Sequence, residues 1–173
     1  IIDGKPWLTS EHLFDYSDEF IEKFLPDTIE LGRSFICPKY QSGASSTKSM
    51  YALDNLWDGI GALIVKFKAK YLFGKASIYS HFGDDAFAII RHFLNLYFAD
   101  SRNLVYAKNP IKTDVSEEIK SLFCGNNYKD DYVVLKRELK KLNRHIPPLV
   151  NSYMNVSPSM IAFDSTINEE FGN

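Results

Sequence analysis

The chain has 173 residues, with 20 lysines and arginines set against 22 aspartates and glutamates. That length supports one ordinary domain with a real core, and the near-even charge excludes a molecule that grips nucleic acid through its overall field. Two cysteines, Cys37 and Cys124, exclude a disulfide scaffold and read as free thiols in a reducing compartment.

Residues 9–25 read as a short helix with Phe20, Ile21 and Phe24 on its apolar face, stopped by Pro26. Residues 29–37 read as the first strong strand, in which Ile29, Leu31, Phe35 and Cys37 alternate with Glu30, Gly32, Ser34 and Ile36. A small-residue loop follows to Ser46. The best helix in the chain is predicted over 47–67. Met50, Leu53, Leu56, Trp57, Ile60, Leu63, Ile64 and Phe67 keep the 3.6-residue period there. Gly59 and Gly61 within it are expected to mark close packing on a sheet.

A second strand is predicted over 71–80, a helix over 84–98 and a short strand over 104–106. An Asp114-to-Glu117 capping box opens a short helix to Phe123. Helices over 130–143 and 149–156 and a last strand over 160–163 complete the order, with Pro147-Pro148 placed for a first helical turn. Strands and helices in this succession predict an α/β (α+β) architecture, a mixed sheet flanked by helices. The expected organisation is a single domain over 1–173. Because the sequence opens on Ile1, it is expected to be a segment of a longer protein. No apolar run approaches the ~20 residues that span a bilayer. The expected location is the cytoplasm, peripheral at most to the inner membrane.

Two charged residues in the first strand draw notice. With period 2, Glu30, Gly32 and Ser34 share one face, and Arg33 lies on the other with Ile29, Leu31 and Phe35. A carboxylate beside a hydroxyl suits holding or deprotonating an amine, and an arginine suits a carboxylate. A structural Glu–Arg pair that ties sheet to helix fits the same residues. The loop Gln41, Ser42, Gly43, Ala44, Ser45, Ser46 precedes a helix N-terminus, which suits a phosphate. It matches neither GxxxxGK[ST] nor GxGxxG, and loops of this kind also serve as plain caps.

His81-Phe82-Gly83-Asp84-Asp85 lacks the HxxxxD spacing of glycerolipid acyltransferases and reads as a strand end followed by an aspartate N-cap. His12, His92 and His145 show no ligand spacing, so no metal is assigned. Cys37 reads as a small buried residue. Lys136, Arg137, Lys140, Lys141 and Arg144 form a basic stripe. It is either a solvated helix face or a dock for an acidic partner or anionic membrane.

The runs TIELGRSFICPKYQ (28–41), SMYALDNLWDGIGALI (49–64), KYLFGKASIY (70–79), IPPLVNSYMNVSPSM (146–160) and FDSTINEEFG (163–172) resemble a bacterial family often labelled "hemolysin". It is similar to the acyl-carrier-protein-dependent N-acyltransferases of ornithine-lipid and glycine-lipid synthesis. These are distant members of the GNAT superfamily of N-acetyltransferases, akin in plan to acyl-homoserine-lactone synthases. The resemblance implies a GNAT-like central sheet in which strand 71–80 splays from strand 29–37 to admit a thioester. The co-substrate would be an acyl-phosphopantetheine thioester on acyl carrier protein or coenzyme A, with no permanently bound cofactor.

Phe35, Ile36 and the loop Gln41 to Ser46 would hold the phosphopantetheine arm. That loop only loosely follows the usual R/Q-x-x-G-x-G/A pattern, which leaves room for a carrier protein as donor. Glu30 would be the base, directly or through water. Ser34 would steer the amine, Arg33 would hold the substrate carboxylate or support the strand, and Tyr79 would protonate the leaving thiolate. Acyl carrier protein and an amino-acid acceptor are the implied partners. Two other readings stay open: a non-catalytic acyl- or membrane-binding module, and a small-molecule acetyltransferase that uses acetyl-coenzyme A.

Overall fold

The ring of Phe20 lies 5.5 Å from that of Phe73, and the ring of Phe24 lies 5.1 Å from that of Tyr71. These contacts form in a computed structural model that describes residues 7–32, 52–111 and 115–169. The described residues fall into two compact units. One contains 7–12, 18–32 and 52–75, and the other contains 13–17, 76–111 and 115–169. Helices and strands are mixed, so the predicted α/β class holds.

In the first unit a wide helical turn, Phe20–Phe24, leads into a 3-10 turn, Leu25–Asp27. Pro26 has no N–H to continue the helix, and the chain extends at once as β2, Thr28–Leu31. A long crossover containing α1, Ala52–Phe67, returns the chain to β3, Tyr71–Gly74. Such a connection is what a parallel pair requires. The register runs from Thr28 opposite Tyr71 to Leu31 opposite Gly74. Lys70 fixes the start of β3, its backbone N–H donating to the Asp27 carbonyl at 2.9 Å and its Nζ to Asp27 Oδ2 at 2.6 Å. The two α1 glycines have another explanation than close packing. Among the described residues, a Cβ built at Gly59 or Gly61 meets nothing within 4 Å.

The second unit is built on α2, Asp84–Phe98. Ile90 and Phe93 of α2 and Leu135 and Leu139 of α4, Tyr128–Lys141, are buried at its centre. Val150 and Met154 of α5, Pro148–Val156, join the same core. Phe93 is ringed by Tyr97, Phe123, Tyr128 and Tyr132 at 5.0–6.4 Å. A short α3, Glu117–Lys120, lies between α2 and α4 in sequence.

Several predicted elements are corrected. The helix expected over 9–25 is interrupted by β1, Phe14–Tyr16, which pairs antiparallel with β4, Val105–Ala107. Here pairing with a segment some 90 residues on overrides local helix signals. The strand expected over 71–80 ends at Gly74, and Ser80–Phe82 is a 3-10 turn. The last strand, expected over 160–163, is reduced to one isolated bridge of Ala162 with Ala99, and a further bridge beyond it joins Thr166 to Pro110. Asn127 starts α4 two residues early, because its Oδ1 accepts from Lys129 N–H at 3.0 Å. The short helix ends at Lys120, and its cap is Ser116, whose Oγ accepts from Ile119 N–H at 3.3 Å. Gly83 takes the N-cap position of α2, with φ +94°, where an aspartate was expected.

Candidate active site

Glu30 sits on β2 opposite Phe73, and its carboxylate is fastened to the turn that precedes β1. Oε1 accepts from Ser10 Oγ–H at 2.6 Å, from Thr9 Oγ1–H at 2.9 Å and from Ser10 N–H at 3.1 Å. Oε2 accepts from Thr9 N–H at 2.6 Å. Three donors thus crowd Oε1 and one meets Oε2, against about two lone-pair positions on each oxygen. The turn itself is closed by Glu11 N–H to the Leu8 carbonyl at 3.1 Å and by Leu8 N–H to Glu11 Oε1 at 3.3 Å. Ser10 is fully buried, whereas the Thr9 contact lies at the surface.

Two further polar side chains gather on the same turn. His12 Nδ1 lies 2.7 Å from the Thr9 carbonyl. A carbonyl only accepts, so Nδ1 carries the hydrogen, and in the neutral ring Nε2 is left as the basic nitrogen. Lys75 Nζ donates to the same carbonyl at 3.5 Å. Lys75 directly follows the last paired residue of β3. The β2–β3 ladder ends at Leu31 opposite Gly74, so Glu30 stands one residue before the described pairing stops.

Of the residues expected to hold or act on the acyl-transfer substrates, Glu30 and Tyr79 are among the described residues. Tyr79 belongs to the second unit, is 48% exposed, and stacks on His81 with ring centroids 5.7 Å apart. Arg33, Ser34, Phe35, Ile36, Cys37 and the loop Gln41, Ser42, Gly43, Ala44, Ser45 and Ser46 lie outside the described residues. Thr9 and Ser10, which hold the Glu30 carboxylate, were not singled out from the sequence. As Thr-Ser-Glu before an apolar run they look like a helix start, and only the distant carboxylate shows their use. Among the described residues no cluster of His, Cys, Asp and Glu could hold a metal, and Cys124 is a free, exposed thiol.

The second unit has a cleft of about 210 Å³ between Asn95, Asp100, Asn103, Tyr106, Phe163 and Asp164. Its two carboxylates are committed to backbone. Asp100 accepts from Arg102, Leu104 and Val105 N–H groups, and Asp164 accepts from Ala107 and Ser165 N–H groups. The basic stripe on α4 is likewise largely occupied within the chain. Lys141 Nζ and Arg137 Nε donate to Glu138 at 2.6 and 2.9 Å. The Lys141 bond, aided by Arg137, holds the Glu138 carboxyl below its ordinary value despite burial. Arg144 donates to the carbonyls of His81 and Phe82 at 2.8 Å. Lys136 Nζ sits 4.7 Å from the Tyr132 ring centroid.

No family model matches the chain, and no solved structure matches it. It is similar to glycine N(alpha)-acyltransferase of Bacteroides thetaiotaomicron, 46% identical over 172 residues, which cover 98% of this chain and 51% of that protein. It is also similar to glycine N(alpha)-acyltransferase of Phocaeicola vulgatus, 42% identical over 172 residues, covering 98% of this chain and 53% of that protein. The chain spans about half the length of these curated relatives.

Proposed function

We propose that the chain is part of an N-acyltransferase that moves a fatty acyl group from a thioester to the α-amine of glycine, a step of aminolipid synthesis. The observation that carries this reading is 46% identity across 98% of the chain with a protein named glycine N(alpha)-acyltransferase. The geometry fits it, since a fixed carboxylate, Glu30, stands beside the end of a parallel strand pair. A GNAT-like opening between the strands beyond that point is the proposed slot for an acyl-phosphopantetheine arm. The donor is acyl carrier protein or acyl-coenzyme A, and Phe35, Ile36 and Gln41 to Ser46 are its proposed cradle.

In the reaction, the glycine amine loses a proton and attacks the thioester carbonyl. The tetrahedral oxyanion collapses, the C–S bond breaks, and the thiolate takes up a proton. Products are N-acylglycine and the free thiol. Glu30 is the proposed proton acceptor. Oε1 already accepts from three donors, so a proton bound for that oxygen reaches it through one of them. The Thr9 hydroxyl, at the surface, is the suitable relay: it takes the amine proton while it passes its own to Oε1. Arg33 and Ser34 hold the substrate carboxylate and amine, backbone N–H groups of the parted strand receive the oxyanion, and Tyr79 supplies the thiolate proton. The enzyme works as a peripheral protein at a membrane, where its product belongs.

The test is mass spectrometry of product from the complete protein given glycine with acyl carrier protein or coenzyme A thioesters. N-acylglycine from wild type, and its loss in a folded Glu30→Gln variant, is the expected result. Wild-type protein that forms no N-acylglycine from either donor overturns the reading.

A further inference from the structure

The last turn of α1 carries exposed apolar side chains on opposite sides. Leu63, Val65 and Phe67 are 43%, 78% and 63% exposed. At about 100° per residue, Leu63 and Val65 point roughly 200° apart around the helix. Ala62, Lys66 and Lys68 are exposed between and beyond them. The tip ends firmly. Lys68 adopts φ +52°, and Lys68 and Ala69 N–H groups close on the carbonyls of Val65 and Ile64 at 3.4 and 3.1 Å. It is a capped helix end.

The segment that carries this tip has charge of one sign along the chain. From Gly59 to Gly83 the sequence has four lysines and no acidic residue. Lys70 pairs with Asp27 and Lys75 reaches Thr9. Lys66 and Lys68 remain at the tip, with Lys66 Nζ 5.5 Å from the Phe67 ring centroid.

A flat protein partner covers one side of a helix, and it would leave either Leu63 or Val65 in water. A medium into which the tip dips covers both. Apolar side chains that enter such a medium while lysine stems carry their ammonium groups back to its surface describe an anionic lipid interface. We infer that the C-terminal tip of α1 is a membrane-docking element, with Val65 and Phe67 in the headgroup–acyl boundary and Lys66 and Lys68 on anionic headgroups. No helix among the described residues is long and apolar enough to cross a bilayer, so this is insertion into one interface. The inference names the surface for the membrane contact of the proposed function and rests on that part of it alone.

The experiment is sedimentation of the complete protein with phosphatidylcholine vesicles, with or without phosphatidylglycerol, at low and high salt. Far-UV circular dichroism confirms that each variant is folded. Wild type is expected to need phosphatidylglycerol and to release as salt rises. V65S/F67S and K66E/K68E are each expected to bind on the order of tenfold more weakly. A fluorophore on Val65→Cys, in a chain also carrying Cys37→Ser and Cys124→Ser, is expected to shift to the blue on vesicles, an independent readout of insertion.

Absence of wild-type binding overturns the inference. So does equal binding by the variants, or a loss confined to an acidic carrier protein while vesicle binding stays intact. Acylation of glycine from a soluble donor, measured without vesicles, is expected to be unchanged in both double variants. Vesicle binding without any acylation by wild type would refute the enzymatic reading and leave the docking surface standing.

Discussion

Ser10 Oγ donates to Glu30 Oε1 at 2.6 Å, joining a turn near the start of the described chain to a strand 20 residues later. Ser10 is wholly buried, so water cannot replace its hydroxyl. Ser10→Ala is expected to cost about 2 kcal/mol, the range for a buried hydrogen bond to a charged group. Chemical denaturation read by circular dichroism checks it. A cost under about 0.5 kcal/mol, the scale of surface substitutions, would show that the bond carries no weight.

Thr9 differs from Ser10 because its contact with Glu30 is at the surface. As a proton relay it should act on turnover more than on binding. Thr9→Val is expected to lower kcat on the order of 100-fold with little change in KM, and Thr9→Ser to restore most of it. A Thr9→Val enzyme with wild-type kcat and wild-type pH profile would remove Thr9 from the proton path.

Asp131 ties α4 to the segment before it, accepting from Gly125 and Cys124 N–H groups at 2.8 and 3.1 Å and from the Tyr97 hydroxyl. Burial alone would raise its pKa, but Tyr97 and the two N–H groups outweigh burial and lower it below 3.8. A folded value below the unfolded one means the stabilisation is complete above the unfolded pKa. It is lost as pH falls from about 3.8 through the lower folded value. Tyr97 is shifted the other way, raised above 10.0 by burial and then by Asp131. Its contribution is complete below 10.0 and lost as pH climbs beyond. Urea melts of Asp131→Asn across both ranges should be flatter in pH than wild type and show a loss of about 3 kcal/mol at neutral pH. Parallel pH curves for the two proteins would contradict this account.

Two glycines give opposite expectations. Gly83 has φ +94°, ψ +143°, a region closed to side chains, so Gly83→Ala should cost about 2 kcal/mol. Gly61 lies in α1 with nothing among the described residues within 4 Å of an added Cβ, so Gly61→Ala should stabilise by roughly 0.5–1 kcal/mol. Thermal melts of the two variants should move in opposite directions. Shifts of the same sign would refute the pairing.

The helix at 84–98 was legible to its ends, because Phe87, Ile90, Leu94 and Tyr97 repeat at helical spacing and its first turn is acidic. Pro147-Pro148 likewise marked the start of α5. β1 was not legible, since three residues give too little period and its partner lies some 90 positions away. Glu30 stood out as a charge in an apolar strand. Its ligands did not, because a threonine and a serine are equally suited to capping a helix. Which acceptor such hydroxyls choose is settled by chain approach, and no local pattern encodes that. The glycines of α1 misled for a related reason, since a missing side chain looks the same whether a neighbour fills the space or water does.

The chain does not pass from one unit to the other once. Residues 13–17 belong to the second unit, while 7–12 and 18–32 belong to the first. No single scission therefore yields two whole pieces. A fragment beginning at Ala76 would lack Phe14–Tyr16 and leave one side of Val105–Ala107 as a bare edge, open to pairing with its own copies. Such a truncation is expected to aggregate, and adding Leu13–Ser17 in trans as a peptide would be the natural rescue.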